Sequence, residues 1–188
     1  MGTRVDDGYV SVDVEASGPN PSSYSLLSIG ACMAFEPTKT FSVELQPVTD
    51  AFTPEALRVG GLDMERLRAE GLPPEQAMRE FDDWIRQSTP GDQVPVFVGF
   101  NAPFDWMFVA DYFHRFLGRN PFGHKALDIK ALFMGTTGSR WAETSFESIA
   151  EHYGLEQRAL THDALEDALV QAALLRRVLH EQTRERTT

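Results

Sequence analysis

Residues 9–18 alternate, with Val10, Val12 and Val14 standing between Ser11, Asp13 and Glu15. A period of two predicts a strand with one apolar face. It places Asp13 and Glu15 on the same side, roughly 7 Å apart at Cα. Residues 26–35 form a nearly continuous apolar run and predict a second, buried strand. Residues 36–39 read as a hairpin-like turn, and residues 40–45 alternate again as a third strand. The chain therefore opens on an antiparallel meander whose first strand carries the acids.

Helical patterns follow. Thr53-Pro54-Glu55 has the composition of a capped helix start, and Gly60-Gly61 closes it. A short helix is expected over 63–69. A stronger one opens at Pro73-Pro74, with Ala77, Met78, Phe81, Trp84 and Ile85 at helical spacing and Pro90-Gly91-Asp92 as its stop. Residues 95–100 read as a buried strand, Asn101-Ala102-Pro103 as the start of a helix to about Leu117, and 126–129 as a short strand after a loop over 118–123. Residues 135–140 read as a loop. Helices over 144–153 and 162–181 complete the chain, the last with Leu165, Ala168, Leu169, Ala172, Leu175 and Leu179 on one face. A meander followed by alternating strands and helices predicts an α/β fold, a mixed sheet with parallel strands added to the meander and helices on its faces.

The chain has 188 residues, and no repeat, low-complexity tract or linker interrupts it. One domain over 1–188 is expected, with flexible ends at 1–8 and 182–188. Cys32 is the single cysteine, so an intramolecular disulfide is excluded. No stretch approaches a membrane span, and a cytoplasmic protein with no membrane partner is expected. The net charge of −11 argues against a protein that coats polyanions generally. It leaves room for an enzyme that grips one end of a strand through metal ions.

Two carboxylates side by side on a half-buried strand repel each other, and a divalent cation is the simplest compensation. An edge strand with a wet acidic face is the plainer alternative for this stretch taken alone. Asp105 follows an apolar strand in the first turns of a helix, where open α/β sheets collect ligands, although a lone acid there also complements the helix dipole. Thr161 reads as an N-cap, placing His162 in the first turn of the last helix. Asp167 then lies about 140° around that helix, able to border the same pocket. A surface histidine and a solvated aspartate are the plainer readings of the two taken singly.

The combination is more specific than its parts. Asp13-Val14-Glu15, then Asn101-Ala102-Pro103-Phe104-Asp105, then His162-Asp163-Ala164-Leu165-Glu166-Asp167-Ala168 resemble, in order, the three motifs of the DEDDh 3′–5′ exonucleases. These include oligoribonuclease, ribonuclease T and the proofreading subunit of bacterial replicative polymerase. The resemblance covers nearly the whole chain and implies a ribonuclease-H-like fold. It implies that Asp13, Glu15, Asp105 and Asp167 hold two divalent cations, Mg²⁺ or Mn²⁺, with His162 as general base. Ala16, Ser17, Gly18, Asn101 and Phe104 would meet the substrate, a single-stranded 3′ end, with RNA or short oligonucleotides favoured over DNA. The products would be nucleoside 5′-monophosphates. The family usually continues its first motif with Thr-Gly-Leu, whereas this chain reads Ala16-Ser17-Gly18-Pro19, and Ser28 stands where many relatives carry glutamate. Both departures bear on the substrate rather than on the carboxylates.

Residues 112–142 hold Arg115, Arg119, Lys125, Lys130 and Arg140 with Asp128 as the one acid, together with His114, His124 and Trp141. This segment reads either as a phosphate- or base-contacting surface or as ordinary solvated faces. Three other readings of the whole chain compete: a DNA proofreading or repair nuclease held by a polymerase, a non-catalytic nucleic-acid-binding module, and a structural Ca²⁺ site. The sequence is also compatible with a homodimer.

Overall fold

The computed structural model describes residues 7–89, 91, 93–155 and 161–185. Strands β1 (Asp7–Ala16), β2 (Leu26–Met33) and β3 (Glu36–Glu44) form the expected meander. Helices α1 (Pro54–Gly60), α2 (Met64–Glu70) and α3 (Pro74–Ser88) lead to β4 (Val94–Gly99). Then come α4 (Pro103–Leu117), β5 (Ala126–Asp128), α5 (Ile129–Thr137), a 3₁₀ turn at Trp141–Glu143, α6 (Phe146–His152) and α7 (Ala164–Glu185). The five strands lie in the order β3-β2-β1-β4-β5, with β1 antiparallel to β2 and parallel to β4.

The alternation of β1 decides the layering. Val10, Val12 and Val14 pack with Phe81 and Ile85 of α3 and Phe108, Val109 and Phe113 of α4 on one face of the sheet. The opposite face is covered through Ile129 and Phe133 of α5, Ile149 of α6, and Ala172, Leu175 and Val178 of α7. Helices thus cover both faces, as the strand–helix alternation predicts. Asp13 and Glu15 point to the α7 side.

Several boundaries differ from the sequence reading. The hairpin turn is Ala34-Phe35, not residues 36–39, which already belong to β3. A register irregularity pairs Met33 with Glu36. Pro37 is tolerated inside this strand because β3 is an edge strand and one side needs no N–H. Residues 135–137, expected as loop, are the last turn of α5. Asp128 caps the start of that helix, and Gly138, in the left-handed region at φ 71°, ends it. His162 does not lie in the last helix. Asp163 accepts from the N–H groups of Leu165 and Glu166 and is the capping side chain, so α7 begins at Ala164. The expected flexible ends contract on both sides: Asp7 and Gly8 pair with Val94 and Pro95 in the sheet, and α7 runs to Glu185. The expectations for 1–6, Pro90, Asp92 and 186–188 lie outside the described residues.

One glycine controls how closely α7 approaches the sheet. Gly30 stands opposite Asp13 in the β1–β2 register. A Cβ there would sit 2.1 Å from the carbonyl carbon of Ala164, the first residue of α7. Backbone rests on backbone, and that contact sets the distance of the 161–167 segment from the acids of β1. Gly30→Ala should therefore force α7 outward and destabilise the protein by about 1–3 kcal/mol, as overpacking does. Activity should fall further than the loss of folded protein explains. A variant with unchanged melting temperature and unchanged rate would show that the contact sets nothing.

Candidate active site

Three local structures bring the acids together. Past Ser11, where pairing with β4 ends, β1 continues alone on that side. There Asp105, 4% exposed in the first turn of α4, accepts the Val14 N–H at 3.1 Å through Oδ1. Asp105 is thus both a site carboxylate and the partner of an otherwise unpaired strand amide. Its helix starts after Asn101, which takes the left-handed region at φ 60°. That turn is held by two side chains: Asp128 accepts from Ala102 N at 2.7 Å, and Gln171 accepts from Phe100 N at 2.9 Å.

Asp167 is 2% exposed and gathers the segment before α7. Its Oδ1 accepts from Thr161 N at 2.8 Å and Thr161 Oγ1 at 3.2 Å, and its Oδ2 from His162 N at 3.0 Å. These bonds hold His162 at φ 59°, a conformation seldom adopted outside glycine. They also bear on stability. Removing one acid of a like-charge cluster relieves repulsion in the metal-free protein. For Asp167 that relief is opposed by two orphaned backbone N–H groups and a hydroxyl, each of which costs free energy when left unpaired.

Gln171 lies one helical turn after Asp167 and is 1% exposed. Its Nε2 donates to Asp13 Oδ1 at 2.6 Å while its Oε1 holds Phe100 N. One amide thereby joins the first acid to the turn that carries Asp105. Sequence reasoning passed over it, although a glutamine on the buried face of an amphipathic helix is a usable signal. The signal from Asp128 was weaker still, since the sequence places it inside a short strand over 126–129.

The site is a cleft of about 560 Å³ lined by Asp13, Glu15, Asp105, His162 and Asp167 together. Glu15, His162 and Asp167 each present a ligand atom within 4.8 Å of the others. Burial is the largest influence on the acids. It pushes Glu15 up to about 7, with Asp167 and Asp163 adding repulsion. Asp105 is pushed up to about 8 by burial, against the pull of the Val14 N–H. Asp13 is also held well above the usual carboxylate range, by burial and then by Asp105, Asp167 and Glu15, with the Gln171 bond opposing. No lysine or arginine lines the cleft among the described residues. Acids that hold their protons for want of a counter-charge, in an oxygen-rich set with one imidazole, fit a hard divalent cation.

Of the residues expected to meet substrate, Ala16, Gly18, Asn101 and Phe104 line the cleft, as does Pro19. Ser17 does not. It is fully buried, its hydroxyl donates to Ala51 O and accepts from Ser25 N, and its carbonyl accepts from Thr53 N. Ser17 ties the loop after β1 to the start of α1 and has no free group for a ligand. The basic segment also divides. Arg115 pairs with Asp111, Arg119 with Asp82 and Arg140 with Glu143.

The raised acids fix how metal-free stability depends on pH. Asp105 and Glu15 ionise near 4 when unfolded but near 8 and 7 when folded. Their contribution is therefore fully present below about pH 4 and is lost as pH rises towards 8. Melting in a chelator should show wild-type stability falling, relative to Asp105→Asn, between pH 5 and 8. A difference that stays flat or rises over that window would contradict the buried-acid account.

Comparison with known proteins agrees with this geometry. The exonuclease family typified by RNase T matches residues 10–175. The 3′–5′ DNA exonuclease Cap18 of Escherichia coli is 50% identical over 173 residues, covering 89% of each chain. Among solved structures, the nuclease domain of 3′hExo, a DEDDh member bound to rAMP, superposes with a TM-score of 0.75 over 96% of this chain and 95% of its own, at 16% identity. E. coli exonuclease I with a dT13 oligonucleotide gives 0.72 at 18% identity, over 97% of this chain but 43% of its own. The mixed sheet with flanking helices is the ribonuclease-H-like fold of these neighbours. Divalent metal ions serve the family's chemistry. The chain belongs to the RNase T-type exonuclease family and is a 3′–5′ exonuclease of the DEDDh group, a phosphodiester hydrolase.

Proposed function

We propose that this chain removes nucleotides from the free 3′ end of single-stranded DNA and releases nucleoside 5′-monophosphates. The observation that carries the reading is the convergence of Asp13, Glu15, Asp105, His162 and Asp167, from β1, α4 and the start of α7, in one cleft. The sequence weighed RNA or short oligonucleotides ahead of DNA. The half-identical relative is a 3′–5′ DNA exonuclease, which favours DNA. We take the whole chain as one catalytic domain acting in the cytoplasm; no described helix is long and apolar enough to cross a membrane.

Asp13, Glu15, Asp105 and Asp167 would hold two divalent cations, Mg²⁺ or Mn²⁺. Bound there, the cations supply positive charge that makes a water nucleophilic and stabilises the leaving 3′-oxygen. His162 takes the water's proton on the ring nitrogen that lies within 4.8 Å of Glu15 and Asp167 oxygens. Asp167 fixes where that ring starts by binding the His162 N–H. Gln171 occupies one oxygen of Asp13 and leaves the other for a cation. Phe104, Ala16, Gly18 and Pro19 line the cleft and would form walls for the terminal nucleoside.

End-labelled DNA and RNA single strands, incubated with Mg²⁺, Mn²⁺ or chelator, test the reading. A 3′ label should appear at once as mononucleotide, a 5′ label should shorten stepwise, and DNA should be consumed faster than RNA. A circular single strand cut as fast as a linear one would overturn it. His162→Ala should lower the maximal rate roughly 10²–10⁴-fold, the usual worth of a positioned base, while calorimetric cation affinity changes little. A near-normal rate would reduce His162 to a loop residue, and a lost cation would make it a ligand instead.

A further inference from the structure

We propose that Lys130 and Trp141 form a second nucleic-acid contact outside the cleft, holding the substrate strand on the 5′ side of the nucleotides being cleaved. The inference rests on the exonuclease reading and adds to it a binding surface for the rest of the strand.

The Lys130 ammonium lies 4.5 Å from the centroid of the Trp141 ring and 5.7 Å from that of Phe100. Phe100 is a wall of the catalytic cleft, and its N–H is bound by the Gln171 that also binds Asp13. The order from the centre outward is therefore carboxylates, Phe100, Lys130, Trp141. Phe100 and Lys130 are fixed from behind. Phe146 packs edge-on against Phe100, with centroids 5.5 Å apart, and Lys130 sits in the first turn of α5, just past the Asp128 cap that also holds Ala102.

Two features make this strip a receptor rather than an internal latch. Trp141 is 54% exposed, a large ring left half in water. Lys130 makes no ion pair among the described residues, whereas Arg115, Arg119 and Arg140 of the same segment are each taken by a carboxylate. A cation beside an aromatic face, with no acid to neutralise it, suits a phosphate followed by a base. The direction follows from the reaction. A 3′ exonuclease holds the terminal residue at the carboxylates, so any nucleotide lying beyond the cleft is on the 5′ side.

The experiment compares wild type, Lys130→Met, Lys130→Arg and Trp141→Leu on three substrates. These are the p-nitrophenyl ester of thymidine 5′-monophosphate, a DNA dinucleotide, and a DNA single strand of about 20 nucleotides, longer than one small domain covers. Methionine keeps an apolar stem against the ring and removes the charge, so stability, followed by melting, should hold. Lys130→Met and Trp141→Leu should each lose roughly 5- to 100-fold in kcat/KM on the long strand, mainly in KM. Both should match wild type on the ester and the dinucleotide. Lys130→Met should also lower the slope of log binding against log salt by about 0.7, one phosphate contact on a single strand. Lys130→Arg should restore both. If the variants equal wild type on the long strand, or lose equally on all three substrates, the second contact is overturned. If wild type itself hydrolyses none of them, the exonuclease reading fails instead.

Discussion

The burial of carboxylates that have no counter-charge, with their mutual repulsion added, is the constraint on which the rest of this structure depends. Asp13, Glu15, Asp105 and Asp167 come from three parts of the chain, and burial and mutual repulsion make ionisation of the first three costly. Nothing in their own chemistry holds them together. The protein does so with groups that cannot move away: a strand amide on Asp105, a carboxamide on Asp13, and two backbone amides and a hydroxyl on Asp167. Each of these bonds takes one lone pair and leaves others facing the cleft. The folded, metal-free protein is thus arranged for a counter-charge that the chain does not itself provide.

The sheet makes such an arrangement affordable. The other face of β1 is filled by Val10, Val12 and Val14 against α3 and α4, so the strand is anchored by apolar packing where it is not strained by charge. On the acidic face, α7 is brought to backbone contact at Gly30 and runs on as an apolar helix along the sheet. Gly60 plays a related part beside Glu15: a Cβ there would meet Glu15 Oε2 at 2.9 Å. Close approaches of this kind fix where the acids stand.

Much of this was legible in the chain. The period of two in residues 9–18 located the acid pair and its face, and helical spacing located the buried side of α3 and α7. The site was legible because the three motifs retain their residue types and order. What the sequence hid was mostly bonding of side chains to backbone groups. His162 looks like a helix residue until Asp163 proves the better cap and Asp167 draws the preceding amides out of the helix. Ser17 looks like a substrate contact because its neighbours are, but its hydroxyl closes a loop against residues 25 and 51. The helix α5 was missed because its residues carry weak periodicity, and its ends are set by Asp128 and Gly138 rather than by an amphipathic face.

The central claim is that the acids of the metal-free site retain protons that a cation displaces. Titration calorimetry of Mg²⁺ or Mn²⁺ at pH 7, repeated in buffers of different ionisation enthalpy, counts those protons. With Asp105 near 8, Glu15 near 7 and Asp13 also held well above the usual carboxylate range, binding should release at least about one proton per chain. Asp105→Asn should remove about one of them. Cation binding to wild type with no proton released would contradict the account, because the carboxylates would then already be ionised and their burial uncompensated for some other reason.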